Sequence, residues 1–169
     1  MSFPKFLAST ALLAPMALLA ACSSAVDPES VKETVGAVQA AQLEAIASDD
    51  IDGATGIFHK DAVMLLPNGQ KLTGSDAIRA EFEKMLADKA TAITITPGQA
   101  WASEGGDLAI TTASAEYTST GADGKPATVK FDNQTVWRKA DSGPWLVVSD
   151  LNYVHPEAPA AAPAAPAAE

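Results

Sequence analysis

The chain has 169 residues, with 11 Lys or Arg against 21 Asp or Glu and a formal net charge of −10. Such an acidic surface repels phosphate backbones and argues against nucleic-acid partners and against a peripheral membrane-binding face. Cys22 is the single cysteine, which excludes a disulfide framework and a thiolate metal site.

The first 21 residues have the layout of an export signal. Lys5 supplies the positive end, and residues 6–21 are apolar or small, with Leu12, Leu13, Met16, Leu18 and Leu19 at the centre and Pro15 as an interruption. A membrane-spanning helix needs roughly 20 apolar residues, so the segment reads as a removed signal rather than a span. It ends Leu19-Ala20-Ala21-Cys22-Ser23, which resembles the bacterial lipobox. The resemblance implies cleavage before Cys22, a diacylglycerol on its sulfur, and acylation of the new amino group by a palmitate-type chain. Several acyl chains anchor stably where one is marginal, so the membrane is the first expected partner. Ser23 stands where an aspartate would resemble an inner-membrane retention signal, so the expected location is the outer membrane, facing the periplasm. Removal of Lys5 leaves the mature chain at net −11.

Residues 22–29 form a short lipidated tether; from residue 23 onward it reaches at most about 25 Å. Ser30 followed by Glu33 has capping-box spacing, and Val31, Val35, Val38, Gln42, Leu43 and Ile46 recur at helical intervals to about Ser48. After Asp49-Asp50, a shorter helix is expected over residues 51–59. A buried strand, residues 62–66, turns at Pro67-Asn68-Gly69 into a return strand, residues 70–73. Ser75 is placed to cap a third helix, whose apolar face carries Ile78, Phe82, Met85 and Leu86.

The rest reads as strands over residues 91–103, 108–119, 127–139 and 145–154, joined by turns at Gly105-Gly106-Asp107, Gly121–Pro126 and Asp141-Ser142-Gly143-Pro144. Residues 156–169 are nearly all Ala and Pro, with Pro156, Pro159, Pro163 and Pro166. That composition favours an extended, solvated tail. Between tether and tail, residues 30–155 make one domain. They suffice for one sizeable core and not for two, and helices gathered on one face of an antiparallel sheet make it α+β.

Three stretches carry a family resemblance: Asp52-Gly53 through Phe58 to Asp61-Ala62-Val63; Gly74 through Ala77-Ile78-Arg79 to Phe82; and Val136-Trp137-Arg138-Lys139 through Gly143-Pro144-Trp145 to Ser149-Asp150. In their order and spacing the chain resembles the nuclear-transport-factor-2-like superfamily, and within it the SnoaL-like and ketosteroid-isomerase-like branch. The resemblance implies a cone-shaped fold of three N-terminal helices packed on a strongly curved, mostly antiparallel sheet, with an internal cavity. It also implies a homodimer, since related sheets often pair across their outer faces. Isomerase chemistry of that branch needs a carboxylate base, a tyrosine and a neutral carboxylic acid. The matching positions here hold Leu66, Gln42 and Gln134, so the known catalytic set is missing.

Other chemistry is sparse. His59 and His155 are the only histidines. His59, after the second helix and two residues before Asp61, admits a metal-site or an acid–base reading, but a loop histidine beside a carboxylate is ordinarily just solvated. Zinc needs three or four converging ligands, so no metal is expected, and no cofactor motif appears. The long strands offer more. Lys130, Asp132 and Gln134 share one face of their strand, opposite Val129, Phe131, Asn133, Thr135 and Trp137. Asp150 and Asn152 share a face with Val148 on the last strand. The resemblance turns the Gln134 face toward the cavity, giving a polar patch of Asp132, Gln134, Asp150 and Asn152 with Trp101 and Tyr117 as flat walls. Three readings follow: an envelope domain that binds a small molecule or a partner protein; a proton-transfer enzyme (isomerase, cyclase or hydratase-like) with Asp132 or Asp150 as base; and a dimeric scaffold without catalysis. A pocket carboxylate with a raised pKa separates the second from the first.

Overall fold

The computed structural model describes residues 27–139 and 143–154. The expected signal (residues 1–21), the expected lipidation site Cys22, most of the expected tether, His155, the Ala/Pro-rich end and part of the Asp141-Ser142-Gly143-Pro144 turn lie outside the described residues. Among the described residues no helix is long and apolar enough to cross a membrane.

Helix α1 spans Pro28–Ala47. It begins before the expected Ser30 cap, because Asp27 and Pro28 make a better start. The Asp27 carboxylate accepts the Glu29 N–H at 3.1 Å, and proline at the first turn sacrifices no helical hydrogen bond. Ser30 instead donates to the Asp27 carbonyl. Helix α2 (Ile51–Thr55) is capped by Asp50, whose Oδ1 accepts from Asp52 and Gly53 N–H at 3.1 Å each. It is shorter than the expected 51–59, since the backbone at Ile57 is claimed by Val147 N–H, 2.8 Å away. Strand β1 therefore runs Phe58–Leu65, starting four residues ahead of the expected 62, and His59 lies in a strand rather than a loop.

Strand β2 (Lys71–Thr73) returns beside β1. Helix α3 (Ser75–Ala87) is preceded by Gly74, not capped by Ser75: Gly74 sits at φ 88°, a conformation that disfavours any side chain, and no side chain caps the helix. Arg79 on α3 reaches Asp52 on α2 at 2.7 Å and ties the two helices together at the surface.

Strands β3 (Ala92–Ala102), β4 (Leu108–Thr120), β5 (Pro126–Lys139) and β6 (Trp145–Tyr153) complete one six-stranded sheet in the order β2-β1-β6-β5-β4-β3. β1 and β6 are parallel and every other pair is antiparallel, so the sheet is mixed. Register shifts interrupt the pairing between Phe58 and Val63, between Pro97 and Ala100, and between Val136 and Trp137. Such bulges bend a strand and increase its twist, which suits a sheet that curves around the helices. Gly98 permits the second: a Cβ there would lie 2.7 Å from Thr112 Oγ1.

The curved face packs against the helices through two apolar clusters. The larger joins Val31 and Val35 of α1 and Ile78 of α3 to Phe58, Met64, Trp137, Trp145 and Val147. The smaller, around Ala45, Ile46 and Ala54, is packed by Phe82, Met85 and Ile93. Trp137, 1% exposed, donates its indole N–H to Thr111 Oγ1 at 2.9 Å.

Candidate functional site

Helices α1 and α3 and the inner face of the sheet leave a cavity of about 440 Å³ between them, within the range of small-molecule pockets. Phe58, Phe82, Ile93, Phe131, Trp137 and Val147 supply much of its apolar wall. The Phe58 and Phe82 rings meet at 5.8 Å.

The polar groups of the wall converge where β5 and β6 pair. Asn133 stands opposite Asn152, and Thr135 opposite Asp150. Asp150 Oδ1 accepts the amide hydrogens of Asn133 at 3.0 Å and of Asn152 at 2.6 Å. Asn133 donates also to Asn152 Oδ1 at 3.0 Å, and Asn152 to the Leu65 carbonyl at 3.0 Å. The Thr135 hydroxyl lies 2.9 Å from Asn133 Oδ1 and 3.2 Å from Asp150 Oδ2. Cross-strand pairing thus builds a closed network with one carboxyl at its centre. Asp150 is half-buried and borders the cavity. Burial pushes its carboxyl above the ordinary value; hydrogen bonds from Asn152, Asn133 and Thr135 oppose that shift without cancelling it.

Of the residues expected to line a pocket, Tyr117, Asp150 and Asn152 lie in the cavity wall. Trp101, Asp132 and Gln134 do not, and each has a physical reason. On β5 the buried side is Phe131, Asn133, Thr135 and Trp137; alternation then puts Asp132 and Gln134 on the opposite face. There Asp132 Oδ1 accepts the Ser114 hydroxyl at 2.8 Å, and Gln134 pairs with Thr112 and Leu151. On β3, Ile93 and Ile95 face the cavity, but the bulge between Pro97 and Ala100 resets the alternation and turns Trp101 outward, 52% exposed. The bulge at Val136 acts likewise on β6: Asp150 and Asn152 share the inner face with Val147, and not with Val148.

Of the positions matched to isomerase chemistry, Gln42 and Leu66 line the cavity while Gln134 lies on the other side of the sheet. Gln42 donates to the Ala54 carbonyl at 3.0 Å. Asn133 and Thr135 join the cavity wall because they share the buried face of β5 with Phe131 and Trp137, a signal present in the two-residue period of that strand. His59, half-exposed, accepts the Asp61 N–H at Nδ1. Among the described residues no three His, Cys, Asp or Glu side chains gather to hold a metal.

The model of the SnoaL-like domain matches residues 40–146. The chain belongs to the SnoaL-like domain family. Solved structures share the fold of this SnoaL-like domain. A ketosteroid isomerase-like protein from Erwinia carotovora atroseptica is 17% identical, with 74% of this chain and 96% of that one covered and a TM-score of 0.62. A candidate dehydratase of the nuclear-transport-factor-2-like family from Streptomyces avermitilis is 17% identical, covering 77% and 100%, also at 0.62. A candidate calcium/calmodulin-dependent protein kinase II association domain from Xanthomonas campestris is 22% identical, covering 73% and 87%, at 0.60. At these identities the likeness is one of fold alone, and fold does not fix function. No curated protein gives a significant match.

Proposed function

We propose that this SnoaL-like domain binds a small, largely apolar molecule bearing one polar end, while held to the bacterial envelope by lipid on Cys22. The observation that carries the reading is the cavity itself: an apolar chamber of about 440 Å³ with the Asn133, Thr135, Asp150 and Asn152 patch in its wall. An apolar body buries its surface there, and a few fixed polar groups set its orientation. Native mass spectrometry of the gently purified protein tests it. The expected result is a reproducible extra mass that disappears on denaturation, or, in an empty preparation, uptake of the neutral dye prodan. A preparation that shows no extra mass and takes up no dye would refute it.

Anchoring rests on the Leu19-Ala20-Ala21-Cys22 signature, and Ser23 directs the proposal to the outer membrane, facing the periplasm. Cys22→Ser moves the protein from the detergent phase to the aqueous phase if the lipid is the anchor. A homodimer paired across the outer sheet face is part of the same proposal; Trp101 and Leu108, both exposed, are the apolar side chains it would cover. An unfilled cone speaks against a purely structural scaffold.

One observation favours a second reading. Asp150 is a desolvated carboxyl inside the cavity with its pKa raised, the property a proton-transferring acid or base requires. Asp132, on the opposite face of the sheet, is not a candidate base for a reaction inside the cavity. In this reading Asp150 takes a proton from a carbon of the bound molecule and returns it to another. Exchange of that carbon's hydrogen in heavy water, present in the wild type and absent in Asp150→Asn with binding retained, would establish it. Absence of exchange with the bound native ligand would remove it.

A further inference from the structure

The hydrogen-bond bookkeeping of the polar patch selects the ligand's chemistry, given that the cavity is the binding site. Both amide hydrogens of Asn133 are used, on Asp150 Oδ1 and Asn152 Oδ1. Both amide hydrogens of Asn152 are used, on Leu65 O and Asp150 Oδ1. The single Thr135 hydroxyl hydrogen is divided between Asn133 Oδ1 and Asp150 Oδ2. With Asp150 ionised, these four side chains therefore have no hydrogen left for a ligand. Acceptor capacity remains, above all at Asp150 Oδ2: a carboxylate offers about four lone-pair sites, and this oxygen has only a shared hydroxyl. At this patch the ligand's polar end donates.

Charge points the same way. Among the described residues the lining carries two carboxyl side chains, Asp150 on β6 and Glu81 on α3, and no Lys, Arg or His. Glu81 is already paired with Lys84 at 3.1 Å toward the surface, and Tyr117 on β4 is the one other titratable group of the wall among the described residues. The lining residues of α1, β1, β3 and β5 include none. A buried carboxylate without a cation is costly, whereas aromatic walls such as Phe58, Phe82 and Phe131 suit both an apolar body and an ammonium.

We infer that the cavity takes an apolar organic amine, its ammonium held by Asp150 and its hydrocarbon body by the aromatic wall. Anionic amphiphiles are rejected by the same residues. Because the ammonium and a proton compete for one carboxylate, amine affinity rises with pH as Asp150 ionises, and levels off once it is fully charged.

Calorimetry with three probes of one shape tests this: adamantylmethylamine, adamantylmethanol and adamantanecarboxylate. A desolvated charged hydrogen bond gives the amine an advantage of about tenfold to hundredfold over the alcohol, with no measurable binding of the carboxylate. Asp150→Asn should remove the amine's advantage while leaving alcohol binding in place. The pH series on the wild-type protein gives the same answer independently of that variant's folding: amine affinity climbs with pH, alcohol affinity does not. An alcohol that binds as tightly as the amine, a carboxylate that binds, or an amine affinity that falls as pH rises would each overturn the inference. If none of the three binds while prodan does, the amine assignment fails and the cavity remains a binding site; if prodan also fails, the cavity reading itself is wrong.

Discussion

The hydrogen-bond network around Asp150 is tested by the pair Asp150→Asn and Asp150→Leu, both branched at Cγ like aspartate and opposite in polarity. Asparagine can keep the network. Its Oδ1 accepts the two amide hydrogens now bound by Asp150 Oδ1. Its Nδ2 donates to Thr135 Oγ1, which turns its own hydrogen wholly onto Asn133 Oδ1. No charge is buried, so the stability of Asp150→Asn at neutral pH should lie within about 1 kcal/mol of wild type or above it. Leucine instead deprives Asn133 and Asn152 of one acceptor each. Two orphaned buried N–H groups cost roughly 2–6 kcal/mol, and relief of the desolvated charge with solvation from the cavity side brings the expected loss to about 2–4 kcal/mol.

Urea unfolding followed by tryptophan fluorescence reads both values, with an unchanged slope as the sign that only stability moved. The pH dependence has a definite sign. Because burial raises the folded-state pKa of Asp150, the folded protein keeps its proton over a window in which the unfolded chain has lost it. Wild-type stability therefore falls as pH rises from the ordinary carboxylate value near ~4 to the raised value, by at most about 1.4 kcal/mol per pH unit, and is level above it. Asp150→Asn lacks that decline. Equal stability of the leucine and asparagine variants, or a wild-type to asparagine difference that does not change with pH, would refute the network as drawn.

Three further outcomes follow from the fold. Trp137→Phe leaves Thr111 Oγ1 without its indole donor in a buried site and should cost about 1–3 kcal/mol in the same unfolding assay. Gly98→Ala puts a methyl 2.7 Å from Thr112 Oγ1 and 3.0 Å from its carbonyl; it should destabilise by about 1–3 kcal/mol and shift the amide resonances of Trp101 and Ile110, whose facing depends on that bulge. Asp88, at the end of α3, accepts from the Thr120 backbone N–H, the Thr120 hydroxyl and the Ala90 N–H, and these bonds hold its carboxyl below the usual range. Its contribution is present above the ordinary carboxylate pKa and is lost as pH falls through the lowered one; Asp88→Asn should speed hydrogen exchange at the Thr120 amide at neutral pH, and unchanged exchange would show the contact to be absent in solution.

The elements were legible because their signals are local. Val31, Val35 and Ile46 on α1, and Ile78, Phe82 and Met85 on α3, recur at helical spacing, and the Pro67-Asn68-Gly69 turn ends β1 close to where it was expected. Boundaries moved where another local rule was stronger, as at Asp27-Pro28, or where a distant partner intervened, as Val147 does at Ile57. The site was half legible. Asp150, Asn152 and Tyr117 lie in the wall, but Asp132 and Gln134 were assigned inward against the apolar side of their own strand. Phe131 and Trp137 pack into the core, and Asn133 and Thr135 must go with them.

Composition and periodicity by themselves determined an acidic α+β chain, with Cys22 its single thiol and with its helices ahead of the long strands. Which side chains meet in the cavity was decided only in three dimensions. Alternation along a strand holds until a bulge adds a residue, and the bulges that turn Trp101 outward and seat Asp150 beside Val147 are features of the pairing between two strands, which the residue pattern of either strand alone does not carry. The raised pKa of Asp150 has the same origin: it comes from burial beneath helices and strands that no neighbouring residue in the sequence reports.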